Sequence, residues 1–396
     1  MREIRRRIAE TSAGIFVKPG FSPENPLWLL LICAFVAACN FQLPSPPPPT
    51  LYKYNVIPVG KGPSSLVSAD FNQDGYQDIV SANSKDSTLT FLPGKGDGTF
   101  KIAQTISVHA EPTALAVGDF NQDGFPDIAV NSRGSDRFSI VFSSKEGFSP
   151  RLLSQKTGTV PLGMIVADLN NDGILDVATT LTFDKMEIYL GRGAGYFKKG
   201  ASYLTGSRSF SGLAEDFDGD GIAEIVLATS SSNSSGIKLF QGNGDGTFSG
   251  PLTLAANRVP LSVIAHDMNQ DGRNDLVFTA GQGDNMYLAL SKGDGSFEAE
   301  QSFSGGGGPF GLTAGNFNDD DLPDVAVANS RSSNFSLIIR RKDGGFIFPT
   351  RDYIVDGGTP LAITSADYND DGLLDVAVAS NFKGTVEVYL QRRIFQ

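Results

Sequence analysis

Carboxylates and amides fall on a nine-residue pattern that recurs seven times along this 396-residue chain. The copies read D-F-N-Q-D-G-Y-Q-D from Asp70, D-F-N-Q-D-G-F-P-D from Asp119, D-L-N-N-D-G-I-L-D from Asp168 and D-F-D-G-D-G-I-A-E from Asp216. D-M-N-Q-D-G-R-N-D from Asp267, N-F-N-D-D-D-L-P-D from Asn316 and D-Y-N-D-D-G-L-L-D from Asp367 complete the set. Oxygen-bearing side chains occupy positions 1, 3, 5 and 9, and glycine holds position 6 in six of the seven. Such donors around a tight turn suit a hard cation, because calcium takes roughly six to eight oxygens at flexible geometry.

With the position-7 carbonyl added, the first expected ligand set is Asp70, Asn72, Asp74, Tyr76 and Asp78. The next two are Asp119, Asn121, Asp123, Phe125 and Asp127, then Asp168, Asn170, Asp172, Ile174 and Asp176. The fourth is Asp216, Asp218, Asp220, Ile222 and Glu224, and the fifth Asp267, Asn269, Asp271, Arg273 and Asp275. Asn316, Asn318, Asp320, Leu322 and Asp324 make the sixth, the poorest, since Asn316 replaces the first acid and Asp321 the glycine. Asp367, Asn369, Asp371, Leu373 and Asp375 make the last. Up to seven structural Ca2+ ions are therefore expected.

An EF-hand begins in the same way but needs a bidentate Glu at position 12 and flanking helices. Position 12 is Ser81, Val130, Thr179, Leu227, Phe278, Val327 or Val378, which excludes that reading. Turn propensity accounts for one or two such residues per loop, not for alternate oxygens in seven copies.

The elements that must hold these loops are also periodic. First positions are separated by 49, 49, 48, 51, 49 and 51 residues. Seven residues before each loop stands Pro63, Pro112, Pro161, Pro260, Pro309 or Pro360, with Ser209 the exception. Short apolar runs flank each loop, and a third run such as TLTFL, MEIYL or VEVYL follows. In six units a Gly-rich turn ending in an aromatic then leads to a fourth run. Four antiparallel strands per unit of this length predict an all-β, seven-bladed β-propeller with four-stranded blades. The seventh unit stops after its third run, whereas residues 52–59 precede the first proline as a fourth run would. The N-terminal strand is therefore expected to close the ring and remove an open sheet edge.

Acids outnumber bases 44 to 32, which argues against a nucleic-acid partner. Both cysteines, Cys33 and Cys39, lie near the N-terminus, so no disulfide staples the body. Leu27 to Ala38 is too short an apolar run to span a bilayer as a helix, and it follows Arg2, Arg5, Arg6 and Arg7. Its ending, Val36-Ala37-Ala38-Cys39, resembles the lipobox of bacterial lipoproteins, in which the cysteine is acylated. Residues 1–38 are expected to be the signal peptide, and 39–50 the lipidated Cys39 with a proline-rich, polyproline II tether. The propeller takes 51–396. Removing the leader would leave a net charge of −14, which seven divalent ions would cancel. Export and anchoring at an outer membrane or cell surface follow, with the lipid as the sole contact with the membrane.

The D-x-[DN]-x-D-G-x-x-[DE] loop between two strands resembles that of FG-GAP or VCBS-type repeats, best known from integrin α-subunit propellers. The resemblance covers about residues 51–396. The Phe-Gly and Gly-Ala-Pro marks are mostly missing, and Phe310-Gly311 is an isolated hit. It implies that the calcium face is structural and that the opposite face binds a protein or glycan. Arg133, Arg137, Arg331, Asn334 and Phe382 are candidate contacts in the variable loops of that face. No G-x-S-x-G elbow, H-E-x-x-H helix or phosphate-cradling loop appears, and His109 and His266 occupy different phases of the repeat. The expected function is thus a non-enzymatic binding or adhesion scaffold. A lectin with inter-blade sugar sites and a polysaccharide-processing enzyme are the alternatives.

Overall fold

The computed structural model describes residues 51–230, 234–347 and 350–392. The expected signal peptide, Cys39 and the tether lie outside the described residues, as do residues 231–233 of one variable loop. Among the described residues, twenty-eight strands form seven four-stranded antiparallel sheets. Strand β1 (Leu51–Pro58) stands first, and blade 1 follows as β2 (Pro63–Ala69), β3 (Asp78–Asn83), β4 (Thr88–Leu92) and β5 (Gln104–Ser107). Blade 2 is β6 (Pro112–Gly118), β7 (Asp127–Ser132), β8 (Arg137–Val141) and β9 (Leu152–Lys156). Blade 3 is β10 (Pro161–Ala167), β11 (Asp176–Leu181), β12 (Lys185–Gly191) and β13 (Phe197–Leu204). Blades 4, 5 and 6 span 209–253, 260–304 and 309–354 as β14–β17, β18–β21 and β22–β25.

Blade 7 is built from both ends of the propeller: β26 (Pro360–Ala366), β27 (Asp375–Ser380) and β28 (Thr385–Gln391) are completed by β1. Leu51 pairs with Gln391 and Pro58 with Thr385, so the closing strand is the expected one, displaced by a single residue. Across the junction with blade 1, Ser68 Oγ and Tyr368 Oη lie 2.6 Å apart, and Asn381 donates to the Pro63 carbonyl at 3.0 Å.

Every second strand is buried along its whole length, because blades pack on both of its faces. This explains why these strands read as continuous runs such as DIAV and DVAVA rather than as polar-apolar alternation. The core is correspondingly divided into seven clusters, one per blade junction; that between blades 1 and 2 joins Phe71, Val80 and Phe91 to Leu115, Ile128 and Phe148. The first strands line an axial channel of about 440 Å³. They all run from the proline end toward the acidic loop, so the seven acidic loops share one face with the turns between third and fourth strands. The hairpins between second and third strands share the other.

Deleting Leu51–Pro58 leaves β28 as an exposed edge and opens the ring. The truncated body should melt well below the full propeller and run as higher oligomers on size exclusion, whereas an unchanged monomer with an unchanged Tm would refute closure by β1.

Candidate metal-binding loops

Each loop is built around its second and ninth residues. The second (Phe71, Phe120, Leu169, Phe217, Met268, Phe317 or Tyr368) is buried and anchors the loop in the blade junction. The ninth (Asp78, Asp127, Asp176, Glu224, Asp275, Asp324 or Asp375) has no exposed surface. One of its oxygens accepts the N–H of the second residue at 2.8–3.1 Å. In six blades the other oxygen accepts a backbone N–H at or just beyond the end of the third strand, at 2.6–2.9 Å. In blade 4 the longer Glu224 takes Gln241 Nε2 instead, at 2.7 Å. The ninth carboxylate therefore clips the loop to the outer half of its own blade. This role was not foreseen from spacing, which presented the residue only as a ligand.

The first residue shapes the turn. In the six loops that begin with aspartate, one carboxylate oxygen accepts the N–H of the glycine at position 6, at 2.7–2.9 Å. The third and fifth residues close successive side-chain turns: Asn72 Oδ1 accepts from Asp74 N at 2.9 Å, and Asp74 Oδ1 from Tyr76 N at 3.1 Å. Gly75 has φ +91°, and a Cβ there would meet nothing within 4 Å, so the backbone alone calls for glycine. In the sixth loop Asp321 adopts φ +65° without that freedom, and Asn316 Oδ1 accepts the Asp320 N–H at 3.2 Å.

A second unforeseen feature links the loops. Position 4 carries Gln73, Gln122, Asn171 or Gln270 in four blades, and each side-chain amide donates to the position-6 carbonyl of the next blade. The acceptors are Gly124, Gly173, Gly221 and Asp321, at 2.5–3.2 Å. Gly219, Asp319 and Asp370 occupy position 4 elsewhere and have no side-chain donor to offer. Contacts in the opposite sense come from the Gly-rich turns: Gly98 donates to the Tyr368 carbonyl and Gly195 to that of Phe120, both at 2.9 Å. A Cβ at Gly98 would meet Leu390 and Tyr54 at 2.9 Å, which explains glycine there.

The electrostatics follow from burial. Desolvation, reinforced by the other loop carboxylates and opposed by the N–H bonds, pushes Asp78, Asp127, Glu224 and Asp375 up to about 7. The same causes raise Asp176 to about 6 and Asp275 above the usual range. Burial likewise takes Asp324 to about 7, with Asp320 adding to it and Arg351 opposing. Lys101 Nζ pairs with Asp74 and Arg273 with Asp271, at 2.6 and 2.7 Å. In blade 4 an oxygen of each of Asp216, Asp218 and Glu224 lies within 4.8 Å of the others, the one such trio of acids among the described residues. Gln241 Nε2 bridges Asp218 and Glu224. The donors are all oxygen and their charge is poorly compensated, so the loops fit a hard divalent cation.

The candidate contacts on the opposite face are mostly engaged. Arg133 pairs with Glu111 at 2.9 Å, Arg331 pairs with Asp284, Arg137 Nε donates to Ser135, and Asn334 accepts from Asn329 at 3.0 Å. Phe382 is 79% exposed. His109 lies 2.9 Å from Ser154 Oγ and His266 ends β18 (Pro260–His266); burial holds both imidazoles below their ordinary range.

A sequence profile described as FG-GAP-like repeat matches residues 70–130, 168–227, 216–278, 267–327 and 316–378. No curated protein matches the chain significantly. Among solved structures, BBS1N in complex with ARL6DN is similar at a TM-score of 0.61 and 11% identity, over 87% of this chain and 98% of that one. A lectin of Agrocybe aegerita, described as recognising non-reducing terminal N-acetylglucosamine, is similar at 0.50 and 18% identity, over 81% and 86%.

The ninth-position acids have folded pKa values above their unfolded ones, so the folded state binds more protons between about pH 4 and about pH 7. Their contribution is fully present below the unfolded pKa and is lost as pH rises through the folded one. Protein stripped of divalent ions should therefore melt higher at about pH 5.5 than at about pH 8. Asp127→Asn leaves one of two buried N–H groups without its acceptor and should cost about 1–3 kcal/mol in urea unfolding.

Proposed function

The chain belongs to the FG-GAP-like repeat family, and from that premise we propose that it is a calcium-stabilised, non-catalytic binding propeller whose ligand, a protein or a glycan, docks on the face opposite the acidic loops. The observation that carries the metal reading is the ninth-position carboxylate, buried in all seven blades within a loop whose positions 1, 3 and 5 also carry side-chain oxygens. The residues at positions 1, 3, 5 and 9, with the position-7 carbonyl, would hold each ion. A bound ion would supply positive charge where the more exposed loop carboxylates raise the cost of ionising the buried one. The chain's own residues do the rest: the first residue fixes the turn, the ninth joins it to the blade, and the position-4 amides tie neighbouring loops together.

Two observations support the opposite face as the binding surface. Its hairpins differ from blade to blade in composition, and in blades 3 and 4 also in length, whereas the acidic loops are near-copies. It also presents Phe183 and Phe382, which are 72% and 79% exposed. The similar propellers named above were solved with a protein partner or described as recognising a sugar, which accords with either ligand class. Adhesion at a cell surface, with Cys39 acylated, belongs to the same reading.

Calcium at about a hundred times its dissociation constant should add about 2.7 kcal/mol per occupied site. Excess chelator should therefore lower Tm by many degrees, and elemental analysis of the dialysed protein should count up to seven ions. An unchanged melt with chelator would remove the metal from this account. Metabolic labelling with a palmitate analogue should mark the full chain in a bacterial host and miss Cys39→Ala; equal labelling of both would overturn the anchor.

A further inference from the structure

A cavity of about 230 Å³ opens on the face opposite the acidic loops, where the connection into blade 3 meets the hairpin between β11 and β12. Gly158, Thr159, Leu181, Phe183, Lys185 and Glu187 line it. Glu187 is the third residue of β12 and is 4% exposed. Its Oε1 takes Lys199 Nζ at 2.6 Å; its Oε2 takes Tyr189 Oη at 2.7 Å and the Gly158 N–H at 2.9 Å. Burial works against ionisation here, but the Lys199, Tyr189 and Gly158 hydrogen bonds outweigh it and hold the carboxyl below its usual range. Each carboxylate oxygen offers about two lone-pair sites, so Oε1 keeps acceptor capacity within the cavity. Phe183 is 72% exposed at the rim, with its ring uncommitted to the core, and Lys185 is exposed beside it.

We infer that this cavity takes a single neutral pyranose unit, such as the end of a glycan, with the Phe183 ring against its C–H face and Glu187 accepting a hydroxyl. The assignment rests on the reading of this face as the binding surface and narrows its ligand to a sugar. The alternatives fit the lining less well. An apolar side chain would cover the Lys185 ammonium and leave the remaining acceptor site of Glu187 unused. An anion would approach the buried carboxylate, and a cation would approach Lys185 and Lys199. A polyhydroxylated ring presents one apolar face together with a rim of donors and acceptors, and the cavity lining includes a flat aromatic, a carboxylate, an ammonium and a threonine hydroxyl.

The repeat supplies an independent comparison. Blade 7 carries the same constellation: Glu387 has no exposed surface and takes Lys53 Nζ at 2.7 Å, Gly357 N at 2.9 Å and Tyr389 Oη at 3.0 Å. The equivalent strand position in the other blades is Thr90, Ser139, Lys238, Tyr287 or Ser336. Phe183 and Phe382 are the phenylalanines among the exposed large hydrophobics of the described residues, and both sit on the hairpin of a blade with the buried glutamate. An ion pair that merely latched the fourth strand would need no exposed phenylalanine beside it. Blade 7 differs in that Lys53 also reaches Asp356 at 2.9 Å.

Calcium-loaded protein titrated with methyl glycosides of glucose, galactose, mannose and N-acetylglucosamine, followed by saturation-transfer NMR and calorimetry, tests the assignment. At least one glycoside should bind, Phe183→Ala should weaken it about tenfold or more at an unchanged Tm, and Phe183→Trp should restore it. Glu187→Gln should weaken it too, although its buried ion pair makes Phe183 the cleaner position. Wild-type protein that binds none of the four overturns the sugar assignment, while capture of a protein partner that depends on this face would leave the wider binding reading standing. A glycoside held equally by wild type and Phe183→Ala overturns the cavity and keeps a glycan as the ligand.

Discussion

A carboxylate with no exposed surface, bonded in six of the seven blades to one N–H of its own loop and to another at or just beyond the third strand, is the constraint on which the blades depend. In blade 2, Asp127 holds Phe120 at the entry of the acidic loop and Ser143 just beyond the third strand, so one side chain fixes both the innermost turn and the outer half of the sheet. The same side chain carries a charge that burial opposes and that its loop neighbours aggravate. Shape and charge thus make opposite demands on one residue. A cation in the loop would reconcile them, because the ion stabilises the ionised form while leaving the N–H bonds in place.

Seven such blades need one another. Second strands buried on both faces have no stable existence outside a stack, and the core is distributed over junctions rather than gathered in a centre. On the acidic face, amides from Gln73, Gln122, Asn171 and Gln270 reach forward to the next loop, while glycines such as Gly98 and Gly195 reach back to the previous one. The amides join loops that the sequence separates by 50 or 51 residues, and Gly98 reaches Tyr368 across the closure of the ring, so the face behaves as a belt. The belt lacks a forward amide after blades 4, 6 and 7, where position 4 is Gly219, Asp319 or Asp370.

The repeat was legible because its marks are local. Loop, proline and glycine turn keep register over seven copies, and strand count with ring closure follows from the period and the early stop after VEVYL. What escaped was whatever depends on one blade meeting another or on its own far strand. Gln73 reads as a polar turn residue until the next loop is placed beside it, and Asp78 reads as a ligand until Gly94 is seen to donate to it. Glu187 and Glu387 were hidden for a third reason. Each is a single charge in a short apolar run, MEIYL or VEVYL, where alternation assigns it to solvent; the propeller buries both sides of that strand and supplies Tyr and Lys partners instead.

The direction of β1 fixes how the body meets a load. Leu51 lies opposite Gln391, whose N–H is held by Asp375, so the polypeptide enters the propeller at the acidic-loop face and runs away from it along β28. A pull on Leu51 directed away from that face would act along the length of β1. The cross-strand bonds from Leu51 to Pro58 then share the strain together in shear, rather than parting one after another as they would if the strand were lifted from its far end. The pairing of the propeller's first and last strands would thereby also be a mechanically resistant seam.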